Sequence, residues 1–307
     1  MSTANAAPRA DQIGRGIALT LLTIVVFGVQ DAIAKLLVQD YSPFHITMMR
    51  YWGFALFALI MVMRQAPLRQ ALASRAARWQ VLRGVLLIAD IWCFALALQS
   101  VPLGELQAIV IVYPLLVTLF AIPVLGEQVG IFRFGAVAAG FLGALIIMRP
   151  GGIPLDWGVV YALGSAAFYA LYIVITRKVS GVDRPATSLA YAALVGLVLS
   201  SAVGVFFWQP MAWGDFALVA VIMVTTCAGH GLMVFALGMA PASVLQPFNY
   251  FSLPWAIVLS IVVFGHWIDA ISLLGAAVIV AAGLVVMARE RVRKVAIVTD
   301  TPPAGHE

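Results

Sequence analysis

The chain has 307 residues, of which 63% are hydrophobic and only 10% are charged, and its mean hydropathy is +1.04. Soluble proteins carry about 25% charged residues, so this composition excludes a water-soluble protein and indicates a chain that lies mostly in lipid. The net charge of +5 does not indicate nucleic-acid binding, because the connections between apolar segments are too short to fold into a basic surface. Cys93 and Cys227 lie within apolar runs, which is not the pattern of a disulfide framework.

Ten apolar runs are separated by polar residues or by proline and glycine. A transmembrane helix needs about 20 apolar residues, so we predict an all-α integral membrane protein with ten transmembrane helices, named spans 1 to 10. Span 1 has a longer apolar core than a signal peptide and no cleavage site after it, so we expect it to remain as an anchor. The spans cover approximately residues 13–38, 43–63, 79–99, 102–124, 130–148, 155–176, 186–208, 217–238, 241–264 and 270–288.

Fifteen of the 18 lysine and arginine residues lie on one side of the predicted membrane, before span 1, after span 10 and around the connections that follow spans 2, 4 and 6. Arg149 is the single basic residue on the other side. Cytoplasmic segments of membrane proteins carry such an excess. We therefore predict that both tails, residues 1–12 and 289–307, are cytoplasmic and that the protein lies in a bacterial inner (plasma) membrane.

A constant offset of 139 residues relates two parts of the chain. The matching pairs are Pro102 with Pro241, Leu106 with Leu245, Gln107 with Gln246, Val124 with Val263, Gly126 with Gly265 and Met148 with Met287. Five spans, an odd number, separate the copies, so the second copy must cross the membrane in the opposite sense. We therefore predict two inverted five-helix repeats, residues 13–148 and 155–288, which is a transporter architecture with its substrate site near the midplane.

Ionisable side chains inside spans need a reason, because each costs about 2.5–3.5 kcal/mol at mid-bilayer on insertion scales. Asp31 and Lys35 of span 1 are four residues apart on one helix face, so they either contact substrate or form a structural ion pair. Asp90 of span 3 has no opposite charge nearby in its own helix and is a stronger functional candidate. His230 of span 8 is either a proton carrier or a hydrogen-bonding contact between helices.

Two further charged residues are expected to have structural rather than substrate-binding roles. Arg50, in span 2, is expected to pair with an acidic residue or to extend its side chain to the outer interface. Glu105 lies near the outer end of span 4 and is expected to be interfacial.

Spans 4 and 9 are both interrupted by proline, which removes a backbone donor and frees a carbonyl that lipid cannot satisfy. Broken helices at corresponding places in two repeats indicate a transporter's site. We therefore predict that Pro114 and Pro254 act as gating bends, although prolines can simply curve membrane helices. The polar side chains assigned to the substrate site on these two spans are Gln107, Tyr113, Gln246, Asn249 and Tyr250.

Aromatic residues with polar tips add to the predicted site, because they suit an amphipathic organic solute. These are Trp92 in span 3 and Tyr169 and Tyr172 in span 6, although some aromatics are expected to be core residues. Spans 5 and 10 instead carry small residues such as Gly143 and Gly275 at one-turn spacing, which predicts close helix packing rather than a site.

Sequence motifs of the common catalytic and nucleotide sites do not occur. The chain has no GxxxxGK[ST] loop, no HExxH, no paired-cysteine metal spacing and no GxSxG. We therefore expect no enzyme activity, no cofactor, no metal and no ATP-driven transport by this chain alone.

Several short motifs occur in a fixed order along the ten spans. They are Phe27 and Gly28, residues 32–35, 49–51 and 95–98, Pro102, residues 113–115 and 125–127, Gly140, Gly143, residues 166–172 and 235–237, Pro241, Pro254 and residues 264–265. In this order they resemble the drug/metabolite transporter superfamily, in its ten-helix EamA branch, over residues 13–290. The family usually has Trp where this chain has Phe27 and Glu where it has His266.

The resemblance implies a polytopic carrier with a central cavity and extends to YddG-like exporters of amino acids. The leading hypothesis is therefore a secondary transporter that exports amino acids, aromatic or neutral, by alternating access, with spans 1, 3, 4, 6, 8 and 9 lining its cavity. The expected partners are a small-molecule substrate and the lipid bilayer, with protons if transport is coupled, and no nucleic acid; we expect a monomer. The alternatives are an uptake carrier for another metabolite, a membrane enzyme that uses Asp90 and His230 on a lipid-linked substrate, and a receptor or assembly subunit without a cavity.

Overall fold

A computed structural model describes residues 10–65, 67–126, 131–148, 156–180, 182–240 and 242–299. Every regular element in these ranges is helical, which confirms the predicted all-α class. The helices are α1 (Ala10–Leu37), α2 (Pro43–Met63), α3 (Leu68–Ala71), α4 (Ala77–Ser100), α5 (Leu103–Val110), α6 (Tyr113–Leu125), α7 (Ile131–Ile147), α8 (Trp157–Ser180), α9 (Pro185–Gly204), α10 (Trp213–Met239), α11 (Ala242–Leu245), α12 (Ser252–Phe264) and α13 (Ala270–Thr299), with 3-10 helices at Val205–Phe207 and Gln246–Phe251.

Nine helical segments among the described residues are long and apolar enough to cross a membrane. The remaining predicted span, α7, has 17 residues and begins directly after residues 127–130, which lie outside the described part. Helices satisfy all their backbone groups internally, which is why a chain this apolar folds as a helical membrane protein. The chain is therefore a multi-pass membrane protein.

The first and last helices reach further than predicted. Helix α1 begins at Ala10, inside the expected tail 1–12, and α13 continues to Thr299, well into the expected tail 289–307. Residues 289–299 are mostly Arg, Lys, Val and Ala and contain no proline or glycine, so nothing local stops the helix there. Residues 1–9 and 300–307 lie outside the described part of the chain.

Spans 4 and 9 are each broken into two helices. In span 4 the break falls at residues 111–112, between α5 and α6, and Pro114 lies in the first turn of α6. In span 9 the 3-10 helix Gln246–Phe251 separates α11 from α12, with Pro247 at its start. Proline fits a helix start because its missing N–H is not needed there, whereas further inside it removes a hydrogen bond.

The helices run alternately up and down, so the connections fall at two ends. We call the end that holds residues 38–42, 101–102, 205–212 and 265–269 the upper end, and the end that holds 64–76 and 182–184 the lower end. The extensive helix pairs include α1 with α10, α4 with α8, α2 with α9 and α7 with α13. At the α7–α13 crossing a Cβ on Gly143 would lie 2.6 Å from the Gly275 carbonyl oxygen, so only glycine permits this approach.

Candidate substrate cavity

A cavity of about 310 Å³ lies between the helices, a volume at the lower end of the range of about 300–1,000 Å³ for small-molecule sites. Residues of α1, α2, α4, α5, α6, α8, α10, the 246–251 segment and α12 line it. Span 2 therefore joins the six spans predicted to surround the substrate. Its polar and aromatic lining includes Phe27, Gln30, Asp31, Arg50, Phe54, Asp90, Gln107, Tyr113, Ser165, Tyr169, Thr226, His230, Asn249 and Ser252.

Seven of the twelve predicted substrate-binding residues line this cavity. They are Asp31, Asp90, Gln107, Tyr113, Tyr169, His230 and Asn249. They lie far apart in the sequence and on six different spans, so the fold gathers them in one place. Their contact with a substrate stays a prediction.

Four hydrogen bonds join polar side chains of the cavity to one another. Ser165 donates to Asp90 Oδ1 at 2.6 Å, and Gln107 Nε2 donates to Ser252 Oγ at 2.9 Å. Asn249 hydrogen-bonds to Tyr113. In a further contact Thr226 donates to the side-chain oxygen of Gln30 at 2.7 Å. These bonds link different helices and offset the cost of polar groups in lipid.

Aromatic rings form the rest of the wall. Tyr113 and Tyr169 meet edge to face, with ring centroids 4.9 Å apart. Phe27 and Phe54 lie edge-on to the His230 ring at 5.5 and 4.7 Å. Aromatic faces and edges of this kind pack well against a flat ring.

Lys35 does not line the cavity, and its ammonium pairs with backbone carbonyls rather than with Asp31, so its contact with substrate stays a prediction. Its ammonium donates to the carbonyl oxygens of Leu98 and Val101, each at 2.9 Å, and lies 5.8 Å from the centre of the Phe264 ring. The last carbonyls of a helix such as α4 have no partner in their own helix. The long lysine side chain reaches them.

Trp92 and Tyr250, both predicted at the site, do not line the cavity either. The Trp92 ring packs against Phe44 with centroids 5.4 Å apart. The Tyr250 hydroxyl points at α13, into the space left by the absent side chain of Gly283. The side chain of Gln246 lies outside the described part of the structure.

Tyr172 lies behind the cavity wall rather than on it. Its ring stacks on Tyr169 at 5.9 Å, and the Arg83 guanidinium lies 5.4 Å from its ring centre. Tyr169 and Tyr172 are about one helix turn apart on the same face of α8, so the sequence pattern could not predict that only Tyr169 lines the cavity.

Glu105, predicted to be interfacial, lies at the upper end of the bundle but is buried there and has a side-chain partner. Its side chain is only 5% exposed, and Oε1 lies 2.7 Å from Nε2 of His266, which is 43% exposed. The pair joins the first turn of α5 to the segment after α12 at the upper end. His266, the residue that departs from the family pattern, is therefore a partner for a buried carboxylate.

The two prolines predicted as gates lie off the cavity wall. Pro114 is half-buried at the start of α6, and Pro254 is exposed near the start of α12. Both mark places where helices begin, and their role in gating stays a prediction.

The sequence did not single out several cavity residues. Arg50 lines the cavity instead of extending to the interface, and no sequence signal distinguishes the two outcomes. The hydroxyl groups of Ser165 and Thr226 were overlooked because serine and threonine are common in membrane helices and cost little there. Among the described residues no group of His, Cys, Asp or Glu could hold a metal ion.

The sequence matches a known family of membrane proteins. The EamA-like transporter family matches residues 14–149 and 156–288, which together are most of the chain. The chain belongs to this family. Its members are transporters, so this EamA-family chain is a membrane transporter and the alternative of a membrane enzyme has no support. The two matched segments nearly coincide with the repeats predicted from the sequence.

Curated relatives extend along most of the chain. A riboflavin transporter of Vibrio cholerae is 29% identical and aligns over 86% of this chain and 90% of its own length. A riboflavin transporter of Rhizobium johnstonii is 30% identical over 91% of this chain and 90% of its own. An S-adenosylmethionine uptake transporter of Rickettsia prowazekii is 23% identical over 90% and 93%. None of these three names mentions amino-acid export.

One solved crystal structure has the same fold. It matches this chain with a TM-score of 0.60 over 90% of this chain and 96% of the other, at 18% sequence identity. At this identity the likeness concerns the fold alone.

Proposed function

We propose that this chain is a secondary transporter that takes up a flat, polar heteroaromatic metabolite of the riboflavin class across a bacterial inner membrane. The observation that carries the proposal is a cavity that combines tyrosine rings with polar side chains. Tyr113 and Tyr169 offer aromatic surface to a flat ring system, and amide and hydroxyl groups line the space around them. Similarity to two riboflavin transporters supports the same substrate class.

Amino-acid export, the function predicted from the sequence, has less support than riboflavin uptake. The names of the relatives above point to larger heteroaromatic substrates, and one of them is an uptake transporter. Aromatic amino acids therefore enter the test as competitors.

For the mechanism we propose alternating access between two inverted halves, residues 13–148 and 155–288, with both termini cytoplasmic. The helix pairs support this arrangement. Helix α1 (span 1) packs on α10 (span 8), and α4 (span 3) packs on α8 (span 6). Span 6 is the repeat counterpart of span 1 and span 8 that of span 3, so the two pairs are equivalent. Contacts between the halves occur at both ends. His266 meets Glu105 at the upper end, and Asp183 accepts from Ser74 and Gln80 at the lower end.

Asp183 lies in a connection at the lower end, outside the membrane-spanning helices. Burial alone would raise the pKa of its carboxyl, but hydrogen bonds from Ser74, Gln80 and the Arg75 backbone outweigh burial and hold the pKa below its usual value. The ionised carboxylate thus joins the connection after α2 to the connection after α8. A mobile closure at this end would have to release these hydrogen bonds.

The deciding experiment is flux into proteoliposomes that contain the purified chain. We expect saturable uptake of labelled riboflavin that unlabelled riboflavin inhibits and tryptophan does not. S-adenosylmethionine serves as a third substrate, and an imposed pH gradient reports whether protons are coupled. Tryptophan flux without riboflavin flux would refute the proposed substrate class.

A further inference from the structure

The polar side chains of the cavity fall into two groups. Asp90, Gln107 and Asn249 are engaged by other side chains of the protein, as described above. Asp31, Arg50 and His230 also line the cavity, yet no hydrogen bond or ion pair joins any of the three to another residue that the structure describes. We call these three residues the polar subsite.

Unengaged polar groups are expensive at this depth. An ionisable side chain within a membrane helix normally pairs with another group, and buried polar groups normally have hydrogen-bond partners. The guanidinium of Arg50 has five donors and no acceptor, whereas an ionised Asp31 only accepts. Their partners must therefore come from what occupies the cavity. That occupant must offer an acceptor to Arg50 and a donor to Asp31.

The polar subsite is built from three helices. Asp31 is on α1, Arg50 on α2 and His230 on α10, three helices of which α10 packs against both others. The tyrosine pair is on α6 and α8, which pack against each other. The three groups without a protein partner therefore lie on other helices than the tyrosine pair.

The charges of the subsite restrict the occupant. The positive charge of Arg50 acts on both Asp31 and Asp90. A simple anion would suit Arg50 but meet two carboxylates, and a simple cation would suit Asp31 but meet the guanidinium. A neutral group that presents both acceptors and a donor satisfies both residues without adding charge. An α-amino acid zwitterion would satisfy both too, but it must first lose the strong hydration of two charges.

We propose that the polar subsite binds the imide edge of a neutral heteroaromatic ring, in which two carbonyl oxygens flank a ring N–H. Arg50 donates to a carbonyl oxygen, Asp31 accepts from the N–H, and His230, held between Phe27 and Phe54, borders the same edge. The isoalloxazine ring of riboflavin has such an edge, so the inference rests on the proposed function and assigns the part of the substrate that each residue contacts.

The test compares riboflavin with N3-methylriboflavin, which keeps both carbonyls but lacks the N–H, in proteoliposome flux. We expect methylation to raise the KM of the wild-type protein about tenfold, the effect of losing one hydrogen bond to a charged group. Asp31→Ala should remove most of that difference. Arg50→Gln should raise the KM for both compounds at least about tenfold, and Arg50→Lys should fall between because it keeps the charge but loses the planar fork.

Matched controls are Arg64→Gln, just after α2, and Asp40→Ala, just after α1, both at exposed positions outside the cavity. Membrane content and monodispersity in detergent show whether each variant folds. Equal wild-type KM values for the two flavins, or an unchanged riboflavin KM in Arg50→Gln, would overturn the subsite while leaving the proposed function standing. Absence of riboflavin flux in the wild-type protein, with or without tryptophan flux, would overturn both.

Discussion

Nε2 of His266 lies 2.7 Å from Oε1 of Glu105, which ties the segment after α12 to the first turn of α5. The second carboxylate oxygen of Glu105 is buried and has no hydrogen-bond partner among the described residues. The pair spans the two predicted halves at the upper end. His266 therefore supplies a hydrogen bond to a carboxylate that the fold has removed from water.

His266→Ala should destabilise the protein, because it removes the hydrogen bond to the buried Glu105 carboxylate. We expect the free energy of unfolding to fall by about 1–3 kcal/mol, measured by thermal unfolding in detergent. His266→Gln keeps a donor and should lose less. If the alanine and glutamine variants are both as stable as the wild-type protein, the pair does not hold the upper end together.

Lys35→Met should lower stability without changing substrate affinity. The variant leaves the Leu98 and Val101 carbonyls without their donor, which costs about 1–3 kcal/mol. Lys178→Met is the matched change, and since Lys178 donates to one carbonyl, that of Val124, it should lose less. The riboflavin KM should stay within about twofold in both variants. A large increase in the riboflavin KM of Lys35→Met, without one in Lys178→Met, would show that Lys35 contributes to substrate binding.

Tyr169→Leu should weaken substrate binding because it removes one ring of the tyrosine pair. An aromatic contact contributes about 0.5–1.5 kcal/mol beyond its buried area, so we expect the KM for riboflavin to rise about two- to tenfold. Tyr161→Leu is the control, since Tyr161 lies on the same helix and does not line the cavity. Equal effects of the two substitutions on KM would exclude a specific role for Tyr169.

Gly143→Ala should destabilise the α7–α13 pair, because its Cβ would lie 2.6 Å from the Gly275 carbonyl oxygen. Overpacking of this kind costs about 1–3 kcal/mol. Gly135→Ala on the same helix meets nothing within 4 Å and should be neutral or stabilise by up to about 1 kcal/mol, because alanine favours a helix. Thermal unfolding of both variants checks the prediction, and a stable Gly143→Ala protein would mean that the two helices can separate.

The sequence by itself determined the all-α membrane class, the approximate positions of the spans and the interruption of spans 4 and 9. Each follows from local chemistry, because about 20 apolar residues must form a helix in lipid and proline cannot continue one. Seven of the predicted site residues line the cavity for a related reason, since polar side chains in apolar spans avoid lipid. The inverted relation of the two halves stays a prediction.

Only the tertiary structure decided which polar group meets which partner. Asp31 and Lys35 share a helix face, yet Lys35 reaches the end of α4 while Asp31 stays in the cavity. Asp90 is engaged by Ser165, 75 residues away, and Glu105 by His266, 161 residues away. Such pairs depend on helix packing and side-chain length rather than on local pattern. The apolar residues between the two partners do not indicate which helices will pack together.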